Sequence, residues 1–314
     1  MPSDNQKLNQ ARSSRIDDFY TRMEDIDLEI RNYREEFQNK RVFCNCDSKD
    51  SSFYQYFKEN FYNLGLKEVK AVCLNHDSCF VYDGEKETSF LLSGNGDFRS
   101  DECLSLAEDS DIIVTNPPFS LLREYIHFLM RTKKKFLFIG SVNIISYKEV
   151  FPFLKENLLW TGCTNFNKGM YFYVPDDFEY RDTYRFLKEM DGRKVNRVSG
   201  CCWFTNLDHP YRHKIWNTRV LFDSSNYEVF DELPQVINVK KSSEIPMDYD
   251  GYMAVPITFL NHFNPDQFML VDSLNRYLAL DSFGVNSDIR RRKSYGCNIN
   301  GKRTYARLII QRKK

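Results

Sequence analysis

Short apolar runs alternate with amphipathic segments along residues 41–141, and this alternation predicts strands and helices in turn. The predicted strands are RVFCNCD (41–47), EVKAVCLN (68–75), DIIVT (111–115) and KKFLFIGS (134–141). The predicted helices are SSFYQYFKENFYNLG (51–65), SDECLSLAEDS (100–110) and SLLREYIHFLMR (120–131). Between them, CFVYDGEKETSFLL (79–92) predicts a hairpin that turns at Asp83-Gly84. The helix boundaries have a cap candidate in Ser100 and a stop signal in Gly65. The pattern predicts an α/β domain around a largely parallel sheet.

Both ends of the chain depart from that alternation. Residues 1–13 are polar, and we predict that they are disordered. The apolar residues that follow recur at spacings of three and four, which predicts one amphipathic helix packed on the core. They are Ile16, Phe19, Met23, Ile26, Ile30, Tyr33 and Phe37. After Gly162, MYFYVP (170–175) and VSGCCWFTNL (198–207) are strand-like, and beyond Asp208 short strands alternate with turns.

Composition and charge exclude several classes of protein. The chain has 314 residues and a formal net charge of zero, so it is not basic as a whole. No apolar run approaches the length of a membrane-spanning helix, and the polar N-terminus is not typical of a signal peptide. The nine cysteines show no spacing typical of a metal site. We therefore predict reduced, mostly buried thiols, no bound metal and a cytoplasmic location.

Positive charge is concentrated near the C-terminus. Residues 288–314 contain ten Lys or Arg and one acidic residue. A solvated basic tail would explain this composition, but IRRRKS and GKR flank a turn-like YGCNING. That arrangement better suits a surface that faces phosphates, and residues 181–219 form a second basic segment.

The stretch DIIVTNPPFS (111–120) carries the strongest chemical signal. A buried strand ends at Asn116, where open α/β sheets bind ligands, and Pro117 and Pro118 make the next backbone rigid. The Asn116 side chain and the Pro117 main chain thus offer two fixed carbonyl acceptors. Such a pair fits an exocyclic amino group and stabilises the positive charge that grows on its nitrogen during methyl transfer. Phe119 can stack on the base that carries the amine.

An ordinary turn after a strand is the alternative interpretation of this motif. With Pro near 5% of residues, an Asn-Pro-Pro-aromatic sequence arises by chance in roughly one chain of this length in several hundred. Its position directly after a buried strand lowers that chance further, so we favour a binding site.

Longer stretches resemble a known family. NPPF is the catalytic motif of amino-methyltransferases that use S-adenosylmethionine, and the chain looks like the EcoRI-type adenine-specific DNA methyltransferases. The matching stretches are DDFYT (17–21), VFCNCDSKDSSFYQYF (42–57), GNGDFRSDE (94–102), VTNPPFSLLREYI (114–126), WFTNLDH (203–209), VPITFLNHFNPDQF (255–268) and NGKRTYARLIIQRK (300–313). The resemblance implies a Rossmann-like catalytic domain over residues 14–206, mostly parallel with an antiparallel hairpin strand. It also implies a target-recognition region over residues 207–314, and methyl transfer to N6 of an adenine flipped out of double-stranded DNA.

The resemblance implies roles for individual residues. The target adenine would be held by Asn116, Pro117, Pro118 and Phe119. Asp97 would accept a hydrogen bond from the amino group of the cofactor adenine, and Phe98 would pack on that ring. The methionine end of the cofactor would contact Phe19, Tyr20 and Thr21. Cys44, Asn45 and Asp47 would lie beside the cofactor, and either Asn75 or Asp77 would bind its ribose hydroxyls.

Several of these assignments have structural alternatives. Most enzymes of the broader class have a Gly-rich turn after the first strand, whereas this chain has Asn-Cys-Asp. Asp97 could instead stabilise the N-terminus of the following helix. Phe19 and Tyr20 could be core residues on the apolar face of the first helix.

Double-stranded DNA is the expected partner. The expected phosphate or base contacts come from Arg290, Arg291, Arg292, Lys293 and Arg303. A chain with its own recognition region can act alone, so we expect a monomer. We expect no membrane association and no stable complex with a restriction endonuclease that acts on the same site. Three alternatives stay open. The substrate could be an adenine in RNA or the side-chain amide of a protein glutamine, or the protein could bind DNA without catalysis on a methyltransferase fold.

Overall fold

A computed structural model describes residues 19–178, 189–274, 283 and 298–313. The predictions for residues 1–13, for Ile16 and for Arg290 to Lys293 lie outside the described residues. The chain divides into two compact units, residues 1–142 with 161–207 and residues 143–160 with 208–314. Residues 143–160 thus group with the second unit, although the sequence suggests a first domain that is continuous to residue 206.

The first unit alternates strands and helices. Its helices are α1 (Met23–Ile30), α2 (Arg34–Phe37), α3 (Ser52–Glu59), α4 (Phe61–Leu64), α5 (Asp101–Glu108) and α6 (Leu122–Thr132). Its strands are β1 (Tyr20–Thr21), β2 (Arg41–Cys44), β3 (Glu68–Ala71), β4 (Ser78–Tyr82), β5 (Glu87–Leu91), β6 (Ile112–Thr115), β7 (Lys135–Ser141), β8 (Trp160–Thr161), β9 (Met170–Tyr173), β10 (Glu189–Met190), β11 (Arg193–Val198) and β12 (Cys201–Thr205). Single 3-10 turns span Arg31–Tyr33 and Phe119–Leu121. The fold class is mixed α/β, as the sequence predicts.

The central sheet of the described chain has the strand order β5-β4-β3-β2-β6-β7-β12-β8. The pairs β3-β2, β2-β6 and β6-β7 are parallel, whereas β4 and β5 form an antiparallel hairpin and β12 pairs antiparallel with β7. The predicted hairpin strand is therefore confirmed, but the sheet is parallel only at its centre. The chain moves from β2 to β3 on one side and returns to β6 on the other, so the strand order reverses between β2 and β6.

Local sequence signals set the ends of these elements as predicted. The Ser51 hydroxyl caps α3 by accepting a hydrogen bond from the Tyr54 N–H at 3.2 Å, and Ser100 caps α5 in the same way. The predicted helix 51–65 continues after Asn60 as α4. It ends at Gly65, whose φ of 63° is left-handed. The carboxylate of Asp111 accepts from the Arg41 N–H at 2.8 Å, which fixes the level of β6 against β2.

The single long helix predicted from residue 16 is wrong at its start. The helix begins at Met23, and Tyr20–Thr21 instead pair antiparallel with β9. Arg22 has an extended backbone, with φ of −77° and ψ of 141°, which ends the strand before the helix begins. The apolar spacing continues across this break, because Phe19 is buried directly before β1 while Ile26 and Ile30 are buried from a helix.

The strand-like stretch 198–207 belongs to two sheets. Val198 ends β11 in a sheet of order β1-β9-β11-β10, and Cys201 begins β12 in the central sheet. Gly200, with a φ of 73°, makes the turn between them. A single strand is therefore the wrong interpretation of this stretch, since the turn lies within its apolar run.

The second unit is built on an antiparallel-rich sheet. It contains α7 (Phe151–Lys155), β13 (Glu228–Phe230), β14 (Leu233–Asn238), β15 (Tyr252–Pro256), β16 (Phe268–Leu274), β17 (Asn298–Ile299), β18 (Lys302–Arg303) and β19 (Arg307–Arg312). Short 3-10 turns span Val142–Ser146, Pro210–His213, Ser224–Asn226, Ser242–Glu244 and Ile257–His262. The main sheet has the order β13-β14-β15-β19-β16, in which β14 and β15 run parallel and the other neighbouring strands run antiparallel.

The predicted turn in YGCNING is confirmed in its described part. β17 and β18 pair as a hairpin, and both Asn300 and Gly301 at the turn have positive φ. The Asp231 carboxylate accepts hydrogen bonds from the N–H groups of both turn residues at 2.8 Å.

The described part of the chain offers neither a membrane-spanning helix nor a metal centre. None of its helices combines the length and apolar character that crossing a membrane requires. Within the same residues, no group of three or more His, Cys, Asp or Glu side chains is arranged to hold a metal ion. The eight cysteines described are all free thiols.

Candidate active site

The reversal of strand order places two predicted site segments side by side. Val42 pairs with Ile112 and Phe43 with Ile113 in the parallel register of β2 and β6. The turn after Cys44 therefore lies at the same level as Thr115 and Asn116. Ligands of open α/β sheets bind beyond the carboxyl ends of strands at such a reversal.

Asn116 is fixed in one orientation by the backbone of Phe19. Its Nδ2 donates a hydrogen bond to the Phe19 carbonyl oxygen at 3.0 Å. Its Oδ1 is buried and has no hydrogen-bond partner. The side-chain carbonyl is thus a preoriented acceptor with unused capacity.

The prolines and the aromatic residue complete the loop. Pro117 is buried, and Pro118 has φ of −56° and ψ of 122°, which turns the chain into the 3-10 turn that begins at Phe119. The Phe119 ring is half-buried and packs against the core of the first unit. The structure therefore brings Asn116 and Phe119 together on a rigid segment.

Asp47 lies under this loop with its carboxylate inside the protein. Thr115 Oγ1 donates a hydrogen bond to Asp47 Oδ2, and the Ser51 hydroxyl and the Asn116 N–H lie near the carboxylate. Burial raises the Asp47 pKa to about 7, and these three groups oppose the rise because they favour the ionised form. The Asp47 N–H donates to the Val72 carbonyl at 3.0 Å, so its main chain is fixed as well.

Asn45 contacts α6 rather than solvent. The Tyr125 hydroxyl donates to Asn45 Oδ1 at 2.8 Å, while Asn45 Nδ2 is buried without a partner. Burial raises the pKa of the Tyr125 phenol well above its usual value, so Tyr125 is a neutral donor. The Phe98 ring is buried against Tyr125 and Phe128, with ring centroids 5.2 and 5.7 Å apart.

The loop of residues 93–99 packs on the turn that follows β3. The Asn75 N–H donates to the Asn95 carbonyl at 2.8 Å, and Asn75 itself is exposed with a φ of 64°. Gly96 has a φ of 73°, and a Cβ at this position would lie 2.2 Å from the Cys73 carbonyl oxygen. This close approach brings Asn75 and Asp97 to the same sheet end as Asn45.

Asp97 has a partner inside its own loop. Its carboxylate accepts hydrogen bonds from the Arg99 side chain at 2.6 to 3.2 Å, which lowers the Asp97 pKa. The N-cap of α5 is Ser100, whose hydroxyl accepts from the Cys103 N–H at 3.1 Å. Capping of that helix therefore does not require Asp97.

The segment 19–21 adjoins the same loop. The Phe19 ring is buried and stacks on Phe172 at a centroid distance of 5.7 Å, as a core residue would. Tyr20 is 54% exposed and is not part of the core. Thr21 is buried, and its Oγ1 has no partner.

Sequence reasoning missed several residues that position this site. Thr115 was only the end of a strand in the pattern, Ser51 only the start of a helix, and Tyr125 only one residue of an apolar helix face. The contacts of Thr115 with Asp47 and of Tyr125 with Asn45 depend on which strands are neighbours. No local pattern carries that information.

The DNA-contact predictions concern the second unit. Arg303 is exposed on β18, and Arg290 to Lys293 lie outside the described residues. The contact of any of these residues with DNA stays a prediction.

Comparison with known proteins identifies relatives along the whole chain. Residues 7–91 and 81–313 match the family described as Adenine-specific methyltransferase EcoRI. The Type II methyltransferase M.MgeORF184P of Mycoplasma genitalium is 40% identical and covers 98% of this chain and 99% of its own length. M.EcoRI of Escherichia coli is 40% identical over 99% of this chain and 97% of its own, and M.MpnI of Mycoplasma pneumoniae is 38% identical over 98% of both. No solved structure shows a significant match. The chain therefore belongs to the Adenine-specific methyltransferase EcoRI family and is a DNA methyltransferase.

Proposed function

We propose that this protein transfers a methyl group from S-adenosylmethionine to N6 of an adenine in double-stranded DNA. The proposal rests on the side chain of Asn116. Its Oδ1 is buried and has no hydrogen-bond partner, while its Nδ2 is fixed by a hydrogen bond to the Phe19 carbonyl. A buried acceptor without a partner costs about 1–3 kcal/mol. A donor from a ligand would remove that cost.

The amino group of adenine fits the donor that this loop requires. The Asn116 Oδ1 and the Pro117 carbonyl together accept its two N–H bonds and stabilise positive charge on its nitrogen. Phe119 stacks on the base, which offsets part of the few kcal/mol that flipping a base out of the duplex costs. Asn116, Pro117, Pro118 and Phe119 thus bind and orient the reacting amine.

The polar atoms around the strand reversal fit a bound cofactor. Asn45 Nδ2 and Thr21 Oγ1 are buried without partners at the ends of β2 and β1. When bound, S-adenosylmethionine supplies an electrophilic methyl group on a sulfonium. We assign its binding to Phe19, Tyr20, Thr21, Cys44, Asn45, Asn75, Asp97 and Phe98, with Asp47 close by. The strand order at β2 and β6 supports a Rossmann-like arrangement of this unit.

DNA recognition belongs to the second unit in this proposal. Arg303 on its exposed hairpin, together with Arg290, Arg291, Arg292 and Lys293, provides phosphate or base contacts. The protein acts as a monomer. It methylates the recognition site of a restriction endonuclease, or it acts without such a partner.

The direct test is to sequence modified bases in plasmid DNA after incubation with the purified protein and S-adenosylmethionine. We expect N6-methyladenine at one defined sequence context. Methylation of RNA only, of glutamine only, or no methylation despite DNA binding would each contradict the proposal.

The Asn116→Ala variant tests the site assignment. Because Asn116 supplies an acceptor used at the reacting nitrogen, we expect the methylation rate to fall by about 10²–10³-fold. Cofactor affinity, measured by titration calorimetry, should change little. Asn63→Ala is the control, since Asn63 is exposed on α4 and bonds only weakly to Asn60 at 3.4 Å. Wild-type turnover in Asn116→Ala would show that the site assignment is wrong.

A further inference from the structure

We propose that Asp47 is a positioning residue that fixes the Asn116 loop, and that its carboxylate does not bind the cofactor. The inference rests on the proposed function, because it assigns Asp47 a role in the same reaction. Family resemblance alone would place Asp47 beside the cofactor. The hydrogen bond that Thr115 donates to Asp47 instead indicates a role in positioning the Asn116 loop.

The Asp47 carboxylate links the turn after β2 to the end of β6. Thr115 donates a hydrogen bond to it from the end of β6, and the N–H of the next residue, Asn116, also favours its ionised form. Asp47 is only 7% exposed. The carboxylate therefore faces the end of β6, and little of it is accessible to the hydroxyl groups of a ligand.

These contacts constrain the one atom on which the proposed reaction depends. Asp47 holds Thr115, the residue directly before Asn116, and the Phe19 carbonyl accepts a hydrogen bond from the side-chain Nδ2 of Asn116. Together these two contacts restrict the orientation of Asn116 Oδ1. Displacements of about 1 Å at a reacting centre can cost about 100-fold in rate. Loss of the Asp47 contacts should therefore slow the reaction without removing a ligand contact.

The Asp47→Asn variant isolates this role. It keeps the shape of the side chain, but its amide presents an N–H₂ group to donors and carries no charge. We expect kcat to fall by about 10–100-fold, while the calorimetric Kd for S-adenosylmethionine stays at the wild-type value. Thr115→Val, which removes one donor and keeps the shape of the residue, should lower kcat less.

Glu29→Gln is the matched control. Glu29 is also a fully buried carboxylate of the first unit, and Tyr33, Cys163 and Thr164 donate to it. These three donors lie outside the Asn116 loop. We expect Glu29→Gln to lower the melting temperature and to keep kcat.

A weaker cofactor Kd with unchanged kcat in Asp47→Asn would overturn the proposal, and so would wild-type kinetics. A kcat loss in Glu29→Gln as large as that in Asp47→Asn would also overturn it, since any buried carboxylate would then have this effect. If Asp47→Asn does not fold, Thr115→Val gives the same comparison of kcat and Kd.

A second readout separates this inference from the proposed function. The amide resonance of Asn116 in ¹⁵N-asparagine-labelled protein should shift as Asp47 titrates, and this shift should be absent in Asp47→Asn. An Asn116 resonance that is the same in both proteins at every pH would overturn the inference. Because this measurement needs no substrate, it holds even if the wild-type enzyme methylates something other than adenine.

Discussion

The ionisation of Asp47 has opposite consequences for folding and for the proposed reaction. Burial favours the neutral acid and raises the Asp47 pKa from 3.8 to about 7. At pH values between these two pKa values, the folded protein therefore binds this proton more tightly than the unfolded chain does. The resulting stabilisation is complete below about pH 4 and is lost as the pH rises through about 7. The ionised form, which Thr115, Ser51 and Asn116 favour, is the form that we propose positions the Asn116 loop.

We predict that activity and stability change in opposite directions with pH. The kcat of the wild type should rise through about pH 7, while its melting temperature relative to Asp47→Asn should fall over the same range. The titratable side chains that interact with Asp47 in the described part of the chain are Cys44, Cys46, Cys73 and Tyr125. Burial raises the pKa of each, so they stay neutral in this window. Identical pH profiles for wild type and variant would contradict the prediction.

Sequence alone predicted Asn116 but not the role of Asp47. Two prolines after a buried strand limit the backbone so strongly that the acceptor pair follows from local sterics. The hydrogen bond from Thr115 to Asp47 spans 68 positions in the chain. It exists because β2 and β6 are neighbours, which is a property of the sheet and not of either segment.

At the scale of elements, one close approach sets the geometry of the loop 93–99. Gly96 combines a φ of 73° with almost no space for a side chain, because the Cys73 carbonyl lies where a Cβ would be. The bond between Asn75 and Asn95 holds the same two segments together. The position of Asp97 and Phe98 relative to β3 therefore depends on this glycine.

We predict that Gly96→Ala weakens cofactor binding as well as stability. Any alanine at positive φ costs about 1–2 kcal/mol, and here the backbone contact adds a steric term. Gly192→Ala is the control, because Gly192 has nearly the same φ of 71°, but a Cβ there would have nothing within 4 Å. Melting temperature and calorimetric Kd should both change more for Gly96→Ala. Equal changes in melting temperature and Kd for the two variants would contradict the prediction, because the loop would then tolerate a Cβ at residue 96.

The elements that sequence predicted correctly are those with local signals at both ends. The helical segment from Ser51 to Gly65, which the structure divides at Asn60 into α3 and α4, has a cap at its start and a stop at its end, and the hairpin at Asp83-Gly84 has a turn of its own. The start of the first helix was wrong because Tyr20 pairs with Tyr173, far along the chain. A periodic apolar pattern records which residues are buried. It does not record whether a strand or a helix buries them.

At the scale of the whole molecule, a net charge of zero conceals an uneven distribution. Ten of the Lys and Arg residues lie within residues 288–314, beside one acidic residue. In the described part of this segment, Lys302 and Arg303 are exposed on β18. Binding to DNA depends on such local charge, because each neutralised phosphate releases counterions.

We predict that replacing Arg290, Arg291 and Arg292 with Gln weakens DNA binding and flattens its salt dependence. The slope of log Kd against log salt should decrease by about 0.9 for each phosphate contact that is lost. The control replaces Lys240 and Lys241 with Gln, since these exposed side chains already pair with Glu228 and Glu244. Fluorescence anisotropy with a labelled duplex at several salt concentrations gives both slopes. If the triple variant keeps the wild-type slope, the segment 290–292 does not contact phosphates. A change in affinity at constant slope would instead mean that these arginines act through base edges.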